Sequence, residues 1–404
     1  MRLAQVRVRY VIVAELAVVI VLVGAQRRDW ALIPAALIAA VLLASATVRI
    51  ANRPLPAALV VRSRFRSRSR ALRRPPTPDS TTPDGTAPDG TTPDGRASGG
   101  THRPDPLHVL FPDLHLSAIE LRNGRELGVV FDGTGWSAAL AVHRDTDLAP
   151  HPRRHHWLPV STLARTLQVD DITLAGIPVL LHVVPSPAHP LPPGSVTATS
   201  YRLVNPSSLP ARRQTFVALR LEPDSSLEPI EARGGGTRGA ARALKRSTAR
   251  TLELLDAAGV PARPLSGIGV RTALGHAAGL SGDPAGNGPP VQETWRHLDL
   301  AGVTHITWWV SQWPEADAPV HLLADLLAAL PVVSGTVSLE LHPGPEQEVR
   351  VRALVRLAAA SPDAAENAER AFGAAAQSAG FRLTRLDGEQ ALGFAATLPL
   401  GGRP

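Results

Sequence analysis

The chain has 404 residues, 44% of them apolar and 19% charged, with no cysteine and a formal charge of +7. That length allows a sizeable buried core and two or three domains, and the missing cysteine excludes disulfides, thiolate metal sites, iron–sulfur ligation and a cysteine nucleophile. Residues 1–106 hold 16 basic and 7 acidic side chains, whereas 107–404 hold 26 and 28. The larger part therefore lacks the positive field of a nucleic-acid-binding domain, and no nucleic-acid partner is expected.

Tyr10–Ala25 is apolar except for Glu15, and Trp30–Val48 carries no charge. About 19–20 helical residues cross a ~30 Å hydrocarbon core, so the two runs predict a transmembrane helical hairpin over 1–50. Glu15 is then a candidate for a helix–helix contact, or lies near enough to Arg9 to reach interfacial water. A signal peptide ending at Val23-Gly24-Ala25 is the rival reading. The arginines beyond Val48 place the flank in the cytoplasm by the positive-inside rule, which predicts a multi-pass protein of the inner membrane with both termini cytosolic.

Residues 51–74 form a basic juxtamembrane segment in which Arg62, Arg64, Arg66, Arg68, Arg70, Arg73 and Arg74 are candidates for contact with anionic lipid. Residues 75–106 follow, with Thr-Thr-Pro-Asp-Gly, Thr-Ala-Pro-Asp-Gly and Thr-Thr-Pro-Asp-Gly in tandem at 81–95. Recurring proline and the lack of apolar residues predict a disordered linker.

From 107 to 404 the pattern predicts a cytosolic α/β (α+β layered) domain, with a lobe boundary near 265–295 where Gly and Pro cluster. Leu107–Leu121 reads as extended. Leu127–Phe131 and Trp136–Val142 flank Asp132-Gly133-Thr134-Gly135 and predict a hairpin. A short helix opens at Ser161, and Val179–Val184 and Phe216–Leu221 are strand candidates. Thr237–Ala258 has helical spacing, with Thr237 as its cap and Gly259 as its stop. The last third reads strand 304–310, helix 320–330, strands 336–341 and 349–357, helix 362–380 and strand 381–386. This is a ferredoxin-like βαββαβ order.

Few constellations point to chemistry. Arg233-Gly234-Gly235-Gly236 before the long helix can hold an anion or touch a partner, but lacks the lysine and hydroxyl of a P-loop. Asp145 and Asp147, after a strand, are the spacing with which metal-dependent nucleotide-sugar transferases hold a divalent ion against a diphosphate. Asp170-Asp171 is a weaker carboxylate pair. His151, His155 and His156 could bind zinc, though Arg153 and Arg154 between them repel a cation. Trp308, Trp309 and Trp313 suit core packing, with one ring at a contact surface. No serine elbow or dinucleotide fingerprint is present. No catalytic residue, cofactor or metal is expected.

The arrangement resembles the EccE family, a membrane component of the type VII (ESX) secretion machinery of actinobacteria. The resemblance rests on the N-terminal hairpin, on Gly128–Trp136, and on Val217-Ala218-Leu219-Arg220-Leu221-Glu222-Pro223 followed by Ala232–Gly236. Thr294-Trp295 through Trp313-Pro314 and the ending Ala395–Gly401 complete it. It implies a non-enzymatic structural subunit at the periphery of a secretion pore, in a hetero-oligomeric protein complex with EccB, EccC and EccD. It also implies a cytosolic fold likened to glycosyltransferases without their catalytic residues. The alternative is a membrane-anchored, metal-dependent nucleotide-sugar glycosyltransferase using Asp145 and Asp147.

Overall fold

The computed structural model describes residues 49–50, 53–73, 105–122, 124–142, 159–185, 212–280, 290–315 and 319–400. The chain divides into two units, 1–71 and 72–404. In the first, strands β1 (Arg49–Ile50) and β2 (Arg53–Pro54) pair before helix α1 (Leu55–Arg73). The arginine-serine alternation is thus helical, and Arg62, Arg66, Arg70 and Arg73 recur at three- and four-residue spacing along one side of it.

The expected transmembrane hairpin is corrected here. Among the described residues no helix is long and apolar enough to cross a membrane. α1 has the length, but its arginines would lie in hydrocarbon, where each is costly. Glu15 and both apolar runs lie outside the described residues, as does the 75–104 stretch of the linker.

The second unit is mixed α/β around one large antiparallel sheet of 12 strands. In chain order it holds α2 (Pro106–Leu110), β3 (Leu114–Glu120), β4 (Glu126–Asp132), β5 (Trp136–Val142) and α3 (Val160–Ala164). A small separate hairpin of β6 (Gln168–Val169) and β7 (Ile172–Thr173) follows, then β8 (Ile177–Val184), β9 (Arg212–Leu221), α4 (Pro223–Glu231), α5 (Gly236–Ala257) and β10 (Ala262–Pro264). The rest is α6 (Gly267–Ala277), β11 (Val291–Glu293), β12 (Leu298–Leu300), β13 (Val303–Gln312) and α7 (Pro319–Ala328). β14 (Ser334–Pro343), β15 (Val349–Ala359), α8 (Pro362–Ser378), β16 (Arg382–Arg385) and α9 (Gln390–Ala396) complete it.

The segment expected to be extended from Leu107 instead opens with α2, because Asp105 caps it (Leu107 N to Asp105 Oδ1, 3.0 Å) and Pro106 suits the first helical position. α8 starts in the same way at Ser361-Pro362. α5 does not use Thr237 as its cap. Its N-cap is Gly235, and Gly234, Gly235 and Gly236 all have positive φ, a conformation that side chains disfavour.

The main strand path is β11-β12-β13-β15-β14-β8-β9-β5-β4-β3, with β16 also on β13 and β10 also on β5. It has the same roles from either end. Residues 106–264 and 267–385 are two copies of an α-β-β-β-α-β-β-α-β pattern, the first with α4 and the β6–β7 hairpin added. Each copy contains a split βαβ unit, ordered β16-β13-β15-β14 in the second and β10-β5-β9-β8 in the first. β8 and β14 join the copies from Ile177↔Leu341 to Val183↔Gly335. The first seven residues of β8 are buried without alternation, because helices cover both faces of the sheet there.

One face carries α3, α4, α5, α7 and α8 over a core that includes Leu140, Leu219, Leu244, Leu327, Val355 and Phe372. The other carries α2, α6 and α9. Here the copies exchange helices. α6 packs on β4, with Gly128 N donating to Leu265 O (2.8 Å) and Gly267 N to Glu126 Oε1 (3.1 Å). α2 in turn packs on β11, with Leu107 in one cluster with Val291 and Leu298.

α5 comes very close to the last turn of α4, since a Cβ at Gly239 would collide with Ile230 O. Gly239→Ala should therefore destabilise by about 1–3 kcal/mol in urea unfolding. Gly373→Ala, in α8 with open space around it, should instead stabilise by about 0.5–1 kcal/mol.

Candidate functional site

Three of the motifs singled out in the sequence meet at one buried point. In β9, Val217, Leu219 and Leu221 face the α5 side, so Arg220 must point to the other face. Its guanidinium donates from Nε to Glu222 Oε1 (2.8 Å), from Nη1 to Asp132 Oδ2 (2.8 Å) and from Nη2 to Thr134 Oγ1 (2.6 Å). The Asp132-Gly-Thr-Gly turn is shaped for this contact. Asp132 Oδ1 accepts from the backbone N–H of Thr134 (3.0 Å) and of Gly135 (2.9 Å), an Asx turn that leaves Oδ2 for the arginine. A Cβ at Gly135 would come within 2.7 Å of Leu221 O and 3.2 Å of Arg220 Nη2, so only glycine lets the turn approach.

Side-chain exposure at this cluster is 3% for Arg220, 7% for Asp132 and 5% for Glu222. Burial opposes the charge on Arg220, but the hydrogen bonds and charges of Asp132 and Glu222 prevail and raise its pKa. Burial likewise pushes the Asp132 carboxyl up, and the contacts with Arg220 and Thr134 outweigh it and hold the group below its usual value. The ending joins in through Leu400 O, which accepts from Ser137 Oγ and from Arg220 Nη1 (3.4 Å).

The second copy has a buried arginine on the corresponding strand and face. Arg356 of β15 donates from Nε to Thr397 Oγ1 (2.7 Å), from Nη1 to His305 Nδ1 (3.0 Å) and from Nη2 to Ala277 O (2.6 Å). Its guanidinium lies 4.7 Å from the Phe394 ring centroid, a cation–π contact. Among the described residues no carboxylate pairs with it, and burial lowers its pKa to about 9. Because His305 Nδ1 accepts from Arg356, its proton sits on Nε2. Burial first, and then the Arg356 charge, hold His305 well below its ordinary pKa, and the same causes take neighbouring His182 to about 3.

The two arginines thus grip one segment, residues 390–400. Ser338 Oγ donates to Ala396 O (3.2 Å) and Thr307 N to Gln390 Oε1 (2.9 Å), while Glu293 Oε1 accepts from Ala391 N (3.0 Å). A strap from the chain's end crosses the second face and is fastened to both copies. Arg220 is thus bound to two carboxylates and Arg356 to His305, and both reach the strap.

The other candidates fall elsewhere. Arg233 pairs with Asp171 (2.6 Å), and the Glu231 carboxylate lies beside Gly235. Asp170 pairs with Arg246 (2.7 Å), so this carboxylate pair serves arginines rather than a metal. Trp308 is buried against Phe372 (ring centroids 5.6 Å apart), Trp313 packs on Phe381 (5.9 Å), and half-buried Trp309 lies under Arg352. Asp145, Asp147, His151, His155, His156 and Arg74 lie outside the described residues. Sequence reasoning missed Arg220, Asp132, Glu222, Arg356 and His305 as a constellation. The available signal was a charged residue inside an apolar strand pattern, in Ala218-Leu219-Arg220-Leu221 and Leu354-Val355-Arg356-Leu357.

Residues 209–310, about a quarter of the chain, match the family model described as "Putative type VII ESX secretion system translocon, EccE". The match runs from the strand of Arg220 through the junction of the two copies to Val310 in β13. The family it describes is one of secretion-system translocon components. No curated protein matches the chain.

Arg220→Met, which takes the counter-charge from two buried carboxylates, should cost about 3–5 kcal/mol in urea unfolding. Arg356→Met leaves only neutral acceptors unpaired and should cost less, about 1–3 kcal/mol. His182 and His305 stay neutral in the folded chain while unfolded histidine protonates below pH ~6.5. Stability should therefore be full above that pH and fall as pH drops toward 4, and the double variant His182→Gln/His305→Gln should flatten this slope.

Proposed function

With residues 209–310 identified as EccE-family sequence, we propose that the chain is a non-enzymatic structural subunit at the periphery of a type VII translocon. The described elements from α2 to α9 would serve as a rigid body that contacts EccB, EccC or EccD at the cytoplasmic side. The family match carries this reading. The strap supports it, because a body whose copies are fastened by buried charges presents fixed surfaces to its neighbours. α1 supplies the membrane contact. Its arginines, with Arg74, sit on anionic head groups, each contributing about 1 kcal/mol near the surface.

The test is purification of the tagged full chain from detergent-solubilised membranes. EccB, EccC and EccD are expected to travel with it. Complete assembly of those proteins in cells that lack the chain, or a tagged chain that migrates alone, would refute a subunit role. Replacing the six arginines of α1 by serine should weaken flotation with phosphatidylglycerol vesicles, and unchanged flotation would remove α1 from the membrane contact.

A further inference from the structure

We infer that the outward side of α5 is a docking surface for an acidic helical segment of a partner protein. The outward residues of α5 include Arg238, Arg242, Arg246 and Arg250, exposed at every fourth position, with half-buried Lys245 between them. Residues four apart lie nearly above one another on a helix, so these cations form one stripe. Arg165 adds to it from the segment after α3, across a hollow of about 340 Å³ that Gln168, Asp170, Arg246, Arg250 and Glu253 also line.

This stripe is basic inside a region whose overall balance is slightly acidic. Carboxylates answer only part of it. Asp170 pairs with Arg246 (2.7 Å) and Glu253 with Arg250 (3.2 Å). Arg242 donates to Arg233 O (2.8 Å) and Lys245 to Glu120 O (2.6 Å), contacts that fix their direction without cancelling charge. Among the described residues Arg165, Arg238, Arg242 and Lys245 have no carboxylate partner.

The order of charges also runs against the helix. A helix N-terminus favours acidic side chains and its C-terminus basic ones. α5 has no acidic residue in its first turn and no basic one in its last; Arg238 stands near its start and Asp256 near its end. Breaking a local rule without internal compensation is the mark of a surface kept for something else. The exposed residues of α5 include no large apolar side chain that could enter a bilayer, and the stripe ends in Glu253 and Asp256, which an anionic leaflet would repel. A polypeptide with carboxylates at helical spacing fits both features, because it can set carboxylates against the arginines and leave the acidic end free.

This deepens the subunit reading and rests on it, but its test uses no translocon component, so the two fail separately. The probe is a fluorescein-labelled, alanine-based helical peptide with glutamate at every fourth position, titrated with the full chain by anisotropy at low and high salt. Binding should weaken with salt. The double variant Arg238→Glu/Arg242→Glu should lose about tenfold or more, while Arg238→Lys/Arg242→Lys should stay within about threefold. Arg238→Glu alone should leave the melting temperature unchanged or raised, since it puts an acid where the helix favours one. Equal peptide affinity for wild type and the glutamate variant would overturn the proposal. So would binding to vesicles of about 30% phosphatidylglycerol in phosphatidylcholine without binding to the peptide, or loss of affinity in the lysine variant as large as in the glutamate one.

Discussion

Two guanidinium groups lie on one face of a single sheet, far from water, and everything laid over that face must answer them. A buried cation tolerates only neighbours that supply acceptors or a counter-charge. Arg220 obtains both from Asp132, Glu222 and Thr134, all within a few residues of its own strand or of the adjoining hairpin. Arg356 obtains acceptors from Thr397, His305 and Ala277. Residues 390–400 are therefore a required cover for both arginines, and their position follows from the geometry of the two side chains.

That requirement also binds the two copies. β8 and β14 already merge them into one sheet, and on the second face each copy's leading helix crosses to the other's hairpin. The strap adds contacts to Ser338, Thr307 and Arg356 in one copy and to Ser137 and Arg220 in the other. Releasing it would expose polar groups in both halves together, so the halves are expected to unfold as one cooperative unit. Such rigidity is what the proposed subunit role would use.

Much of this was legible in the residues. The Asp132–Gly135 turn, the apolar runs of β8 and β9, the periodicity of α5 and the alternation through 303–385 are local patterns, and local patterns report strands, helices and turns. The pairing of Arg220 with Asp132 was not legible, because 88 residues separate them and neither announces its partner. Two apolar runs before Val48 suggested a membrane hairpin, whereas the helix described next to them is the arginine-rich α1.

The sequence by itself determined the alternating elements, the near-neutral charge of the large unit and the family resemblance later matched at 209–310. Each of these depends on residue type or on spacing within a few turns, which a linear reading carries in full. Tertiary structure decided the doubling of the pattern about β8 and β14, the exchange of α2 and α6, and the clamping of residues 390–400. Those rest on contacts between distant segments, where burial turns ordinary arginines into the groups on which the arrangement depends.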